Sequence, residues 1–246
     1  MSGVRQRAWR LQIHETLPST SDRCRALAAA GEPDGLAVLA RRQTQGRGSR
    51  GRGWESANGN LFLSVLLRPS ERARDAAQWS LLAGVALGEA LADHMPDASA
   101  LRLKWPNDVL LHGRKLAGIL VDSSADAGGM VEWLVIGMGV NLAVAPNVPG
   151  RPVACLADVT DPPSPEDFSA ALLARLDHWR DIRLSEGFPA IRAAWLARAP
   201  APGSTVMLRL GERMLGGGFA GLGEDGSLLL AHDGGVHAFA TGEVLS

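Results

Sequence analysis

Apolar and polar positions alternate with two different periods along this chain. Ala8–Ile13 (AWRLQI) alternates as a strand does, and Leu61–Leu67 (LFLSVLL) and Gly35–Arg41 (GLAVLAR) are short apolar runs suited to buried strands. Ser19-Thr20-Ser21-Asp22 opens a helix that runs through alanines and leucine to a stop at Gly31. Arg72–His94 repeats its apolar residues at helical spacing, with Trp79, Leu82, Ala83, Ala86, Leu87 and Ala90 on one side. Strands are predicted at Leu101–Lys104, Val109–Leu111, Lys115–Ser123 and Met130–Asn141. Tight turns between them (Pro106-Asn107-Asp108, His112-Gly113-Arg114, Gly128-Gly129) predict antiparallel hairpins. Helices follow at Glu166–Arg183 and Pro189–Ala199. Pro200-Ala201-Pro202-Gly203 then ends this region. Beyond it come strands at Val206–Leu210, Leu228–Ala231 and Val236–Ala240 without a helix, the pattern of a small barrel. The division predicted is 1–199 and 200–246. The fold class is α/β (α+β).

With 246 residues, 46% apolar and 21% charged, the composition is that of a globular protein. A formal net charge of −1 supplies no global field for nucleic acid, so specific DNA binding is not expected. Cys24 and Cys155 are too few for a metal site or a disulfide framework, which fits a reducing cytoplasm. The opening residues hold no apolar run of the secretory kind. Trp133–Gly150 carries no charge, but Gly137, Gly139, Asn141, Pro146 and Pro149 break it, so a buried strand and turn fit better than a membrane span.

Of 25 Lys+Arg, only Lys104 and Lys115 are lysine. Arginine bias of this kind follows from a GC-rich genome. Two lysines surviving within KWPNDVLLHGRK point to a site that needs a compact ammonium. Arg41–Trp54 (RRQTQGRGSRGRGW) holds five arginines, four glycines and no acid. A solvated basic loop and an arginine–glycine RNA-binding segment are two readings. A loop folding over an anionic ligand is the third and the preferred one, because glycines admit the anion and arginines fork around it. Gly46–Gly51 matches G-x-G-x-x-G literally, but no helix can open after it, so it is not a dinucleotide fingerprint. The glycines of Val135–Asn141 leave room for a flat ligand on a strand.

In this order the segments resemble biotin–protein ligases. The residues that carry the resemblance are Ser19-Thr20-Ser21, Gln43–Trp54, Lys104-Trp105-Pro106-Asn107-Asp108, Arg114–Leu120, Ile136–Asn141 and Gly242-Glu243-Val244. They cover nearly the whole chain. The lead before the first strand is short, so the resemblance is to the form without an N-terminal DNA-binding domain. It implies a class II tRNA synthetase-like, mixed and largely antiparallel sheet with flanking helices, followed by an SH3-like barrel.

The activity implied is ATP-dependent formation of biotinyl-5'-AMP, then transfer to a lysine of a biotin carboxyl-carrier protein domain. Mg2+ accompanies ATP, no prosthetic group is needed, and a homodimer is compatible. The resemblance makes Lys115, Arg47, Lys104 and Asp108 catalytic, with Arg47 and Lys115 on the biotin carboxylate and α-phosphate. Asp108 is open between orienting a lysine and binding magnesium. Biotin-binding residues are Ser19, Thr20, Ser21, Gln43, Gly46, Arg47, Gly48, Ser49, Trp54, Lys115, Gly118, Leu120, Gly137 and Gly139. Nucleotide contacts fall to Arg50, Arg52, Lys104, Asn107 and Asn141. The family has arginine where this chain has Ser49. Rivals are a lipoate or octanoate ligase on the same scaffold and a biotin-responsive nucleic-acid regulator. The arginine–glycine loop and C-terminal region favour biotin, and the absence of a recognition helix weighs against the regulator.

Overall fold

The structure is a computed structural model that describes residues 9–245. Its elements run β1 (Arg10–Leu17), α1 (Thr20–Ala29), β2 (Leu36–Gln43), β3 (Leu61–Leu67), α2 (Gln78–Ala92), β4 (Leu101–Lys104), β5 (Asp108–Leu111), β6 (Arg114–Ala125) and β7 (Val131–Val140). They continue with α3 (Pro165–Glu186), α4 (Phe188–Leu196), β8 (Thr205–Leu210), β9 (Arg213–Leu222), β10 (Leu228–His232), β11 (Gly235–Phe239) and β12 (Glu243–Leu245). Ala8, the first residue of the predicted opening strand, lies outside the described residues.

Seven strands form one sheet in the order β1-β2-β3-β7-β6-β5-β4. Every neighbouring pair is antiparallel except β1 and β2, which the helix α1 joins in parallel. Side chains alternate across a strand, and both faces of this sheet are covered, so β2 and β3 read as continuous apolar runs. Leu36, Val38, Leu66 and Val135 pack with Cys24 and Ala28 of α1 on one face. Ala37, Leu39, Leu63 and Val65 face the larger core beneath α2 and α3 on the other.

The predicted helix from Arg72 begins only at Gln78. The residues before it pair with the β6–β7 turn instead: Ala73 N–H donates to Gly129 C=O, and Glu71 C=O accepts from Val131 N–H. Those bonds hold the backbone extended at Arg72, which has ψ 144°. Among the described residues no helix is long and apolar enough to cross a membrane.

The remaining five strands form an antiparallel sheet in the order β11-β10-β9-β8-β12, with β11 and β12 as unpaired edges rather than a closed barrel. The sequence reading missed β9, whose Gly216-Gly217-Gly218 has no side chains to show alternation. Val206, Leu208, Phe219, Leu222, Leu228 and Leu230 of this sheet join the same apolar core as α2 and α4. Trp105 Nε1–H donates to Gly226 C=O at 3.1 Å, tying the β4–β5 turn to the second sheet.

Candidate active site

Strand register builds the floor of a cleft. On the α1 face, three rows of side chains cross β3, β7 and β6: Leu66–Val135–Asp122, Ser64–Gly137–Leu120 and Phe62–Gly139–Gly118. The last row runs on through Asp108 of β5 to Lys104 of β4. Three glycines in adjacent rows leave a trough where larger side chains would fill the sheet surface. A Cβ on Gly137 would collide with the Ser21 hydroxyl. One on Gly139 would lie 2.5 Å from the Trp54 indole, and one on Gly118 2.9 Å from it.

Hydroxyls line one end of the trough. Ser19 caps α1, accepting from Asp22 N–H at 3.2 Å, and so aims the first turn of the helix at the sheet. Thr20 Oγ1 and Ser21 Oγ lie 2.8 and 3.0 Å from the buried Ser64 Oγ. Gln43 Oε1 accepts from Thr20 N–H at 2.8 Å. At the other end stand the ammoniums. Lys115 Nζ donates to Asp108 Oδ1 at 2.5 Å, and Lys104 Nζ lies 3.3 Å from Oδ2. Both oxygens of Asp108 therefore face lysine ammoniums. Among the described residues no group of three or more His, Cys, Asp or Glu could hold a metal ion.

The arginine–glycine segment is a miniature hairpin that roofs the trough. Gly48 N–H bonds Arg52 C=O and Trp54 N–H bonds Gly46 C=O, both at 2.8 Å. Arg50 and Gly51 take φ 60° and 71° at its tip. A Cβ on Gly46 would collide with the Trp54 carbonyl, so this glycine serves the close approach of two backbones. Trp54 lies against Gly118 and Gly139, with Lys115 Nζ 5.4 Å from its ring centroid.

Thirteen predicted residues line this first cavity: Thr20, Ser21, Gln43, Arg47, Gly48, Ser49, Trp54, Asn107, Lys115, Gly118, Leu120, Gly137 and Gly139. Ser19 and Gly46 stand behind it, as a cap and as a hairpin contact. A second cavity adjoins it, with Gly48, Ser49, Trp54 and Lys115 shared and with Arg52, Asn141, Arg151, Pro146, Val148 and Val153 added. Asn141 is buried; its Nδ2 donates to Ala154 C=O, while its Oδ1 and Trp54 Nε1 have no hydrogen-bond partner among the described residues. Asn107 donates to Ile119 C=O at 2.7 Å. Arg50, Lys104 and Asp108 line a third recess with Arg52 and Glu243.

Several residues at the site carried no predicted role. Phe62 and Ser64 were legible only as part of a buried strand. Asp22 and Asp122 both meet Arg47 Nη1, at 3.0 and 2.9 Å. Glu243 of β12 accepts from Arg52 at 2.6 Å and from Arg50 and Arg151 at 3.2 Å each, with Arg209 at 3.6 Å. Burial alone would raise this carboxyl's pKa, but hydrogen bonding from Arg52 and the charges of Arg52, Arg151 and Arg50 hold it below the ordinary value.

The pattern of the Biotin/lipoate A/B protein ligase family matches residues 15–141. The biotin--[acetyl-CoA-carboxylase] ligase of Paracoccus denitrificans is 40% identical over 213 residues, covering 84% of this chain and 88% of that protein. The bifunctional ligase/repressor BirA of Bacillus subtilis (strain 168) is 30% identical over 243 residues, covering 95% of this chain and 73% of that one. Among solved structures, the biotin protein ligase from Aquifex aeolicus in complex with biotin and ATP superposes with a TM-score of 0.80. It shares 28% identity and the match covers 96% of this chain and 97% of that one.

Proposed function

Because the chain belongs to the biotin/lipoate A/B protein ligase family, we propose that its cleft activates biotin with MgATP and passes the acyl group to a lysine of a carboxylase carrier domain. The trough carries this reading. It is lined by hydroxyls and an amide at one end, walled by Leu120, Phe62 and Trp54 in the middle, and cationic at the other. Biotin has the same sequence of chemistry: a ureido ring, an aliphatic chain and a carboxylate.

Thr20, Ser21, Gln43 and Ser64 offer donors and acceptors to the ureido group. Gly118 and Gly139 seat the Trp54 ring and Gly137 admits the Ser21 hydroxyl, and the rings and chain lie against the wall so formed. Lys115, held by Asp108, meets the carboxylate and the α-phosphate where negative charge builds up. Such fixed cations act without reorganising during the reaction. The second cavity takes the nucleotide, where the unpartnered Asn141 Oδ1 is an acceptor for an amino group and Arg52 and Arg151 face the phosphates. Magnesium arrives on the phosphates of ATP, since both Asp108 oxygens are engaged by lysines.

In the first step a biotin carboxylate oxygen forms a bond to the α-phosphorus, and the bond to the β-phosphate bridging oxygen breaks, releasing pyrophosphate. In the second the carrier's neutral lysine amine attacks the acyl carbon. The bond to the phosphate oxygen breaks, AMP leaves, and the amide nitrogen loses a proton. Neither step needs a covalent enzyme intermediate, so the chain's contribution is positioning and charge.

On the same reading the seven-stranded sheet with its helices, residues 1–199, is the class II tRNA synthetase-like catalytic unit. Residues 200–246 are the SH3-like unit. Incubation with biotin, MgATP and an apo-carrier domain tests the whole reading by intact mass. Addition of one biotinyl group that needs both small molecules supports it. No addition to an acceptor that another biotin ligase modifies would refute it.

A further inference from the structure

Arg47 presents one guanidinium nitrogen, Nη1, to two carboxylates, Asp122 Oδ2 at 2.9 Å and Asp22 Oδ1 at 3.0 Å. Asp22 also receives Arg25 at 3.2 Å. Two guanidiniums thus meet two carboxylates, and this cluster has no net charge for an incoming acid. Its place along the trough matters as much. Asp122 belongs to the row Leu66–Val135–Asp122, two rows from Gly118, whose Cβ position lies 3.0 Å from Lys115 Nζ. Asp122 lies four residue steps along the strand from Gly118, about 13 Å at roughly 3.3 Å per residue. The anchor of Arg47 thus lies two rows along the floor from the row in which Asp108 meets Lys115.

Asp22 stands in the first turn of α1, next to Ser21, and Asp122 stands on β6. Arg47 belongs to neither element; it comes from the roof, paired with Gly53 across the hairpin. Its side chain therefore joins roof, helix and sheet at the hydroxyl-lined end. We propose that Arg47 is a positioning residue, a clasp anchored by Asp22 and Asp122 that holds the hairpin closed over the ring end of the bound acid. By neutralising that end, it leaves the acid group to Lys115. The proposal rests on biotin being the acid; the clasp contacts themselves are between the chain's own residues.

The test uses the full chain with Asp122→Asn, Asp22→Asn/Asp122→Asn and Arg47→Gln, each checked for parental thermal melting. Two readouts follow: the Kd for biotin by calorimetry without ATP, and the rate of tryptic cleavage within residues 47–52 without any ligand. The anchors are partly solvated, so each loss is modest. Asp122→Asn should weaken biotin binding about three- to tenfold, and the double variant further. Cleavage should accelerate in the same order. A direct contact between Arg47 and the substrate carboxylate gives the opposite sign, because removing Asp122 releases the guanidinium for the ligand. Biotin binding that is unchanged or tighter in Asp122→Asn overturns the clasp, and so does cleavage at the parental rate. If the double variant does not fold, Arg47→Gln decides by the same two readouts, with Arg50 and Arg52 as the remaining cleavage sites. A parent that binds no biotin indicts the functional reading instead, and the ligand-free cleavage comparison still judges the clasp.

Discussion

At the scale of single residues, Lys115 has the sharpest requirement. Its ammonium fits between Asp108, the Gly118 backbone and the face of Trp54. A guanidinium is larger and planar, and a misplacement of ~1 Å can cost about 10²-fold in rate. Lys115→Arg is expected to lower kcat by that order in steady-state assays with biotin while the protein melts normally. Ser49 is the second case. It accepts from Arg52 at 3.1 Å and lines both main cavities, but it brings no charge to the adenylate. Ser49→Arg should slow release of biotinyl-adenylate several-fold, since a charge-assisted hydrogen bond exceeds a neutral one by about 1 kcal/mol or more. Equal release rates in a rapid-quench comparison would mean that Arg52 already fills the role. Lys115 was legible in the sequence because lysine is so scarce there. Asp22 and Asp122 were not, because an acid on a helix or strand shows nothing until register brings it to Arg47.

Among the elements, the Gly46–Trp54 hairpin depends most on glycine. Gly46→Ala would drive a methyl group into the Trp54 carbonyl, which backbone hydrogen bonding keeps from moving away. The hairpin should then open, raising the biotin KM tenfold or so while global melting shifts little, as for a local unit of low intrinsic stability. Tryptophan fluorescence during a biotin titration checks this, and a parental KM would contradict the close-approach account. The sequence marked this stretch as a loop built for an anion, but read its glycines as room for ligand. Gly46 also admits the chain's own backbone, and on the floor Gly118 and Gly139 admit the Trp54 ring. The hairpins of β4 to β7 were legible from their turn residues. The parallel pairing of β1 with β2 was not, because partner choice is a tertiary fact. β9 escaped because three glycines interrupt its alternation.

For the whole molecule, Glu243 links the second sheet to the active-site roof through Arg50 and Arg52, and to the segment after β7 through Arg151. Its pKa is held below the ordinary value, so its contribution to stability is present above the unfolded-state pKa of about 4.3 and is lost as pH falls through the folded value. Glu243→Gln should therefore melt below the parent at pH 7, and the gap should narrow as pH falls below the unfolded-state pKa and close once it has passed the lowered folded value. A gap that persists there would assign the effect to packing. The shared core beneath both sheets was legible only as apolar runs; that it is continuous across the Pro200–Gly203 punctuation required the structure. The claim on which the rest depends is that this cleft turns biotin into an acyl-adenylate. ATP–pyrophosphate exchange, run side by side with biotin, lipoate and octanoate, tests it most directly. The account expects exchange that depends on biotin and is far weaker with the other two acids. Exchange driven best by lipoate or octanoate, or none with any of the three, would contradict it.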